Sequence, residues 1–181
     1  PGYVKGYPPG VRENGGHYSH AGVWAVMALA RLGDKARAWE LWGALNPIRH
    51  ADTKEKAAVF RVEPYVMPAD ICSAAPHLGR GGWTWYTGSA GWMYRLTVEE
   101  LLGLRLEVDK LRLEPRLPDD WDGCKVHYRF GETFYHISFR REGKRGDKVV
   151  RLTLDGREVE APLLPLADDR ADHQVEAVLG R

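Results

Sequence analysis

The sequence predicts an α+β fold, with helices gathered in its first half and strands in its second. Three observations carry this. Apolar residues recur at helical steps of three and four near the start, at Val23, Val26, Met27 and Ala30. They alternate with polar residues later, at Cys124, Val126, Tyr128 and Phe130. The two periods do not interleave along the chain, which argues for segregated helices and strands rather than a parallel α/β sheet. The boundary falls near Leu104 to Lys110, giving a helical region 1–104 and a strand region 105–181.

In chain order, the first predicted helix follows His20 and ends at Gly33, where a left-handed closing residue is easily accommodated. Asp34 can cap the next helix, whose apolar stripe is Ala38, Leu41, Trp42 and Leu45. Asn46-Pro47 stops it. Residues Val66 to Ala74 are predicted as a short helix with Pro68 in its first turn. Ser89 to Leu102 is predicted as a longer one, closed by Gly103. Beyond it, Cys124 to Phe130, Tyr135 to Phe139, and Val150, Leu152 and Leu154 predict strands, the last leading into an Asp155-Gly156 hairpin turn. Short alternating strands with such turns imply an antiparallel sandwich.

Composition excludes some classes. The 181 residues are 44% hydrophobic and 28% charged, enough to bury a core. The net charge of +1 gives no electrostatic case for a nucleic-acid partner. No apolar run approaches the roughly 20 residues that cross a bilayer. Cys72 and Cys124 lie in differently patterned segments and read as two free thiols, which suits a reducing compartment. The chain opens P-G-Y-V-K-G-Y, which reads as the middle of a loop and predicts the C-terminal part of a longer protein.

Three polar stretches carry the candidate chemistry. Y-P-P-G-V-R-E-N-G-G-H-Y-S-H (Tyr7 to His20) combines glycines, Arg12, Glu13, His17 and His20. It fits an ordinary charged loop, a metal site, or an anion or sugar site. The H-x-x-H spacing lacks further ligands at fixed spacing, so no metal is predicted. A glycine turn opening a helix offers free N–H groups to an anion, and Arg and Glu can bond several hydroxyls. G-R-G-G-W-T-W-Y-T-G-S-A-G-W (Gly79 to Trp92) sets Trp83, Trp85 and Tyr86 among glycines. These rings either pack in a core or stack on sugar faces. The Gly-Lys-Ser/Thr ending of a nucleotide loop is absent. V-E-P-Y-V-M-P-A-D (Val62 to Asp70) holds Glu63 and Asp70, which fit a carboxylate pair or separate capping and ion-pairing roles.

Together with L-N-P-I-R-H (Leu45 to His50), these stretches resemble, in this order, the C-terminal part of glycoside hydrolase family 94. The resemblance runs over about Pro1 to Ile137, and its wording is most like the β-1,2-glucan members. It implies that the helices are the last of an (α/α)6 barrel and that the strands form a C-terminal sandwich. It also implies inverting phosphorolysis of a β-glucoside to α-glucose 1-phosphate. Inorganic phosphate is then co-substrate, a β-glucan the partner, and no cofactor or metal takes part. By resemblance His20, Thr87 and Gly88 bind phosphate, and Arg12 and Glu13 contact the acceptor sugar. Arg12 stands where cellobiose-type members have lysine, and Ala69 where they have glutamine, which argues against cellobiose. The general-acid aspartate precedes the Y-P-P-G stretch by well over a hundred residues in the family, so no catalytic residue is assigned in this chain. The chain alone is expected to be inactive and to need the missing N-terminal part of its parent. A cytoplasmic location is expected, including for a membrane-bound synthase parent. The alternative is a non-catalytic carbohydrate-binding module built on Trp83, Trp85 and Tyr86.

Overall fold

A computed structural model describes residues 2–85, 87–143 and 146–181. The chain divides into two compact units, Pro1–Leu96 and Thr97–Arg181. Helices populate the first and strands the second, as the change of period predicts.

In the first unit, α1 (Ser19–Arg31) buries Val23, Val26, Met27 and Ala30 along one stripe. Gly33, at φ +86°, turns the chain out of it. Asp34 then caps α2 (Lys35–Leu45) by accepting the Arg37 N–H at 3.1 Å. Asn46-Pro47 ends α2 but also starts a further turn, α3 (Pro47–His50), in which the Asn46 side chain accepts the Ile48 N–H at 3.1 Å. A short helix that the apolar pattern does not reveal, α4 (Lys54–Phe60), is capped by Thr53 and closed by Arg61 at φ +53°. It buries only Phe60, so it has no stripe to read.

The predicted helix over Val66 to Ala74 does not form. Its centre is a two-residue strand in a small antiparallel sheet of β1 (His17–Tyr18), β2 (Asp70–Ile71) and β3 (Gly81–Gly82). Pro68 has no N–H to give to a helix, and the Ala69 N–H bonds the Gly82 and Trp83 carbonyls at 3.1 and 3.0 Å. The last predicted helix is present as α5 (Thr87–Arg95), followed by a π-helical turn at Leu96–Leu101, with Gly103 at φ +71° after it.

The second unit has two sheets. The smaller orders β10 (Leu163–Pro165), β5 (Lys110–Leu113) and β4 (Leu104–Glu107). The larger orders β6 (Gly123–Phe130), β7 (Thr133–Arg141), β11 (Asp172–Gly180), β8 (Lys148–Leu154) and β9 (Arg157–Val159). Both supply one buried cluster, with Leu104, Leu111, Leu113 and Leu164 from the first and Tyr135, Ile137, Phe139, Leu152, Val175 and Ala177 from the second. The larger sheet corrects the antiparallel expectation, because β11 runs parallel to β7 and antiparallel to β8. A strand filling the slot between two oppositely directed neighbours must run parallel to one of them. The β8 pattern also shifts. A bulge between Val178 and Leu179 turns Val149 inward and leaves Val150 48% exposed. The Asp155-Gly156 hairpin turn is present, with both residues at positive φ.

Two polar devices lock this unit. Glu100 is fully buried and meets Arg105 at 3.0 Å and Arg116 at 3.7 Å. The Arg116 guanidinium also donates to the Glu100 carbonyl at 2.7 Å. His173 stacks on buried Tyr135, with Asp155 at 2.7 Å from Nδ1 and Asp169 at 3.2 Å from Nε2. The Asp155 hydrogen bond holds the imidazole pKa above its ordinary value, with Asp169 adding to the effect against partial burial.

Glu100→Ala should cost about 3 kcal/mol in urea unfolding, because it strips the counter-charge from two arginines and empties buried volume. Thermal melts between pH 5.5 and 9 should show a second effect. With its pKa raised in the folded state, His173 contributes stability that is complete below 6.5 and is lost as pH rises through the folded value. Asp155 and Asp169, both lowered, contribute above 3.8 and lose that contribution as pH falls. His173→Asn should flatten the alkaline arm, and an unchanged arm would assign it to another group.

Candidate active site

The three polar stretches of the sequence meet at the small sheet. β1 belongs to the first, β2 begins at the last residue of the third, and β3 lies in the glycine-tryptophan segment. The register pairs Tyr18 with Asp70 and Asp70 with Gly82. Further backbone bonds close the loops around it, from Ser19 N–H to the Ala69 carbonyl at 2.9 Å and from Ser73 N–H to the Gly10 carbonyl at 2.9 Å. Gly10, at φ +83°, must be glycine for the loops to meet, since a Cβ there would lie 2.5 Å from the Ala74 Cβ.

His20 lies in the first turn of α1, and Thr87 and Gly88 open α5. The packing of α1 with α5 brings His20 to Gly88, whose Cβ position is 3.8 Å from His20 Nδ1. Thr87 and Gly88 are exposed at this edge. His20 Nε2 is buried with no hydrogen-bond partner among the described residues. The ring is held by aromatic neighbours, with Trp24 at 4.6 Å, Trp92 at 5.9 Å and Tyr18 at 6.0 Å between centroids.

Arg12 forms a second group. Its guanidinium carbon lies 4.0 Å from the Trp83 ring centroid and 5.8 Å from those of Tyr7 and Tyr18. Tyr18 thus neighbours both Arg12 and His20. Glu13 is exposed beside Arg12. Trp85 belongs to a different group. It is 66% exposed, its indole N–H donates to Glu63 at 3.3 Å, and Tyr65 stands edge-on to it at 6.2 Å. Tyr86 lies outside the described residues. Glu63 and Asp70 therefore make no pair: the first is tied to Trp85, and the second is buried in β2 with only 2% exposure.

Asp70, which the sequence offered as one of a carboxylate pair, instead sits in the small sheet beside Arg12. Burial pushes its pKa up, against the Arg12 backbone hydrogen bond and the charges of Arg12 and His17. Burial also lowers the pKa of His17, against the pull of Asp70. Asp70 lines a hollow of about 370 Å³ with His77, Arg80, Gly82 and Trp83. Its one sequence signal is the strand-like P-A-D-I that starts at Pro68, which a helical reading of that stretch hides.

Chemically, the site offers a histidine at a helix N-terminus, suited to an anion, beside an arginine spread on aromatic rings, suited to sugar hydroxyls. The chain belongs to the glycosyl hydrolase 94 superfamily, whose catalytic-domain description matches residues 1–103. It is 51% identical over 150 residues to the cyclic beta-(1,2)-glucan synthase NdvB of Rhizobium meliloti (strain 1021), covering 83% of this chain and 5% of that protein. It is 33% identical over 181 residues to the N,N'-diacetylchitobiose phosphorylase of Vibrio proteolyticus, covering 99% of this chain and 22% of that one. A 1,2-beta-oligoglucan phosphorylase of Listeria innocua serovar 6a is 31% identical over 130 residues, 64% of this chain and 12% of its own length. The chain therefore spans between 5% and 22% of the length of these relatives.

Gly82→Ala should destabilise the first unit by about 1–3 kcal/mol in urea unfolding, because its Cβ would sit 2.6 Å from Asp70 Oδ1. Gly91→Ala on α5, where a Cβ meets nothing within 4 Å, should be neutral or stabilising by up to about 1 kcal/mol. Equal effects would mean that the carboxylate does not constrain position 82.

Proposed function

We propose that this chain is the C-terminal part of an inverting β-glucan phosphorylase, acting on β-1,2-linked glucan with inorganic phosphate to give α-glucose 1-phosphate. The observation that carries the reading is the approach of His20 to the N-terminus of α5. Phosphate binds there against the Thr87 hydroxyl, the Gly88 N–H and His20. His20 donates through Nδ1, the nitrogen nearest Gly88. That tautomer leaves Nε2 as an unprotonated acceptor, which is cheaper to bury without a partner than an orphan N–H. The bound dianion attacks the anomeric carbon from the α face while an aspartic acid protonates the departing glucosidic oxygen. Phosphate replaces the base-activated water of an inverting hydrolase, so no second carboxylate is required.

Arg12 and Glu13 face the acceptor-side sugar. Trp83 backs Arg12, and Trp85 and Tyr86 extend the carbohydrate contact. In this reading the first unit supplies the last helices of an (α/α)6 barrel and the second a C-terminal β-sandwich. The general acid lies in the N-terminal part of the parent, so the isolated chain is inactive. The 51% identity to a cyclic β-1,2-glucan synthase supports the linkage. The parent works in the cytoplasm, free or as the cytoplasmic part of a membrane-bound synthase, and no cofactor or metal takes part.

In the parent enzyme, cleavage of β-1,2-glucan should require phosphate and release α-glucose 1-phosphate. Release of free glucose in phosphate-free buffer would make it a hydrolase. His20→Ala should raise the KM for phosphate about tenfold or more with a smaller effect on glucan, as loss of one charge-assisted hydrogen bond implies. Arg12→Ala should do the reverse. Equal effects on both substrates would overturn these assignments.

A further inference from the structure

We propose that Asp70 is a positioning residue for Arg12, holding its backbone and balancing its charge so that the guanidinium rests on Trp83 and faces the acceptor sugar. The acceptor role of Arg12 is the reading given above. The positioning itself rests on four features of the first unit.

The Asp70 carboxylate, 2% exposed, faces the Arg12 backbone N–H, and its Oδ1 is buried without a hydrogen-bond partner among the described residues. Arg12 sits at φ +45°, a left-handed conformation that a residue with a long side chain adopts at a cost. A charge-assisted bond to its N–H is a direct way to meet that cost. Next, Asp70 and Arg12 attract each other as charges, and Arg12 Nε is buried without a hydrogen-bond partner among the described residues. The remaining donors are the Nη groups, which leaves them for a ligand. Third, Gly82 on β3 leaves the space the carboxylate occupies, since any Cβ there would lie 2.6 Å from Oδ1. Finally, Asp70 is fixed on both sides by the sheet, opposite Tyr18 on β1 and Gly82 on β3. Tyr18 and Trp83, the residue after β3, both bring their rings to the Arg12 guanidinium. One carboxylate thus sits where the sheet, the left-handed turn and the aromatic support converge.

Substitution separates this role from simple support of the fold. Asp70→Asn keeps an oxygen that can accept the Arg12 N–H but removes the charge, whereas Asp70→Ala removes both. In NMR spectra of this chain, the side-chain protons of Arg12 should show upfield ring-current shifts from Trp83. Those shifts should fall by half or more in Asp70→Ala and largely survive in Asp70→Asn. In the wild type, the Arg12 amide shift should titrate with the Asp70 carboxyl at a midpoint above 3.8. Arg12, Glu13 and His17 are the charged groups around that carboxyl. Asp70→Asn should abolish the titration, and any step that survives belongs to His17 or Glu13. This measurement needs no alanine variant, so it stands if Asp70→Ala fails to fold. An Arg12 amide that does not titrate, or ring-current shifts unchanged in a folded Asp70→Ala chain, would overturn the positioning role.

In the parent enzyme, Asp70→Ala should raise the acceptor KM for glucan synthesis about tenfold with kcat changed less than about threefold, and Asp70→Asn should recover most of it. Equal loss in kcat and KM for both variants would mean a structural role only. Collapse of the Arg12 shifts with an unchanged acceptor KM would keep Asp70 as the support of Arg12 and remove Arg12 from the acceptor site.

Discussion

Burial of one carboxylate in a sheet of three two-residue strands organises the first unit. Strands this short contribute few hydrogen bonds and would not persist alone. Asp70 sits opposite Tyr18 and Gly82 and beside the Arg12 backbone, so this one residue adjoins all three polar stretches. The residues with chemistry to offer then fall into place around it. His20 follows β1 directly into α1, and Trp83 follows β3. The cost of an ionised group in an apolar setting shows in the raised pKa of Asp70. Arg12 and His17 offset part of that cost, and this binds their own positions to the carboxylate.

The second unit uses the same principle with other means. Its larger sheet is completed by a strand from the end of the chain, β11, inserted between β7 and β8. A late insertion of this kind needs specific anchors, because the slot alone defines direction but not register. His173 on β11 supplies one by bridging Asp155 of the β8–β9 turn and Asp169 of the preceding loop. Thr133 at the start of β7 supplies another: its hydroxyl contacts Asp168 and Asp169 and accepts the Arg170 N–H at 2.7 Å. Both anchors lie at one end of the inserted strand. The bulge at Val178 and Leu179 lies toward the other end, where register is less constrained.

Much of this was legible in sequence, and the rest was not for identifiable reasons. The stripe of α1 and the alternation of β6 and β7 are local patterns set by one shielded face, so period alone finds them, whereas of the α2 stripe only Ala38 is buried. The α4 helix buries a single residue and gives no period. The β8 reading chose Val150 for the inner face because alternation assumes no bulge, and the bulge is a property of the β8–β11 pair. Val66 to Ala74 misled for a similar reason: its hydrogen bonds go to partners far along the chain. In the site, the family wording brought out His20, Thr87, Gly88 and Arg12, of which the structure sets His20 near Gly88. It could not show that Trp83 and Trp85, two residues apart, face different partners. Both sit at positive φ, and such a path breaks the simple alternation that would have set their sides.

The division of labour between these tryptophans follows from the same contacts. One face of Trp83 carries the Arg12 guanidinium at 4.0 Å, so that face of the ring is covered by arginine. Trp85 keeps an exposed ring and spends its N–H on Glu63. An arginine held on an aromatic ring is a different tool from a lysine at the same place. Its planar fork can donate two parallel hydrogen bonds, whereas an ammonium is a single freely rotating point charge. With Nε buried, the donors left to Arg12 are those of the fork's outer edge. The orientation of that plane is constrained by contact with Trp83. In the proposed acceptor role, a plane fixed this way would favour a ligand by the direction of its hydroxyls.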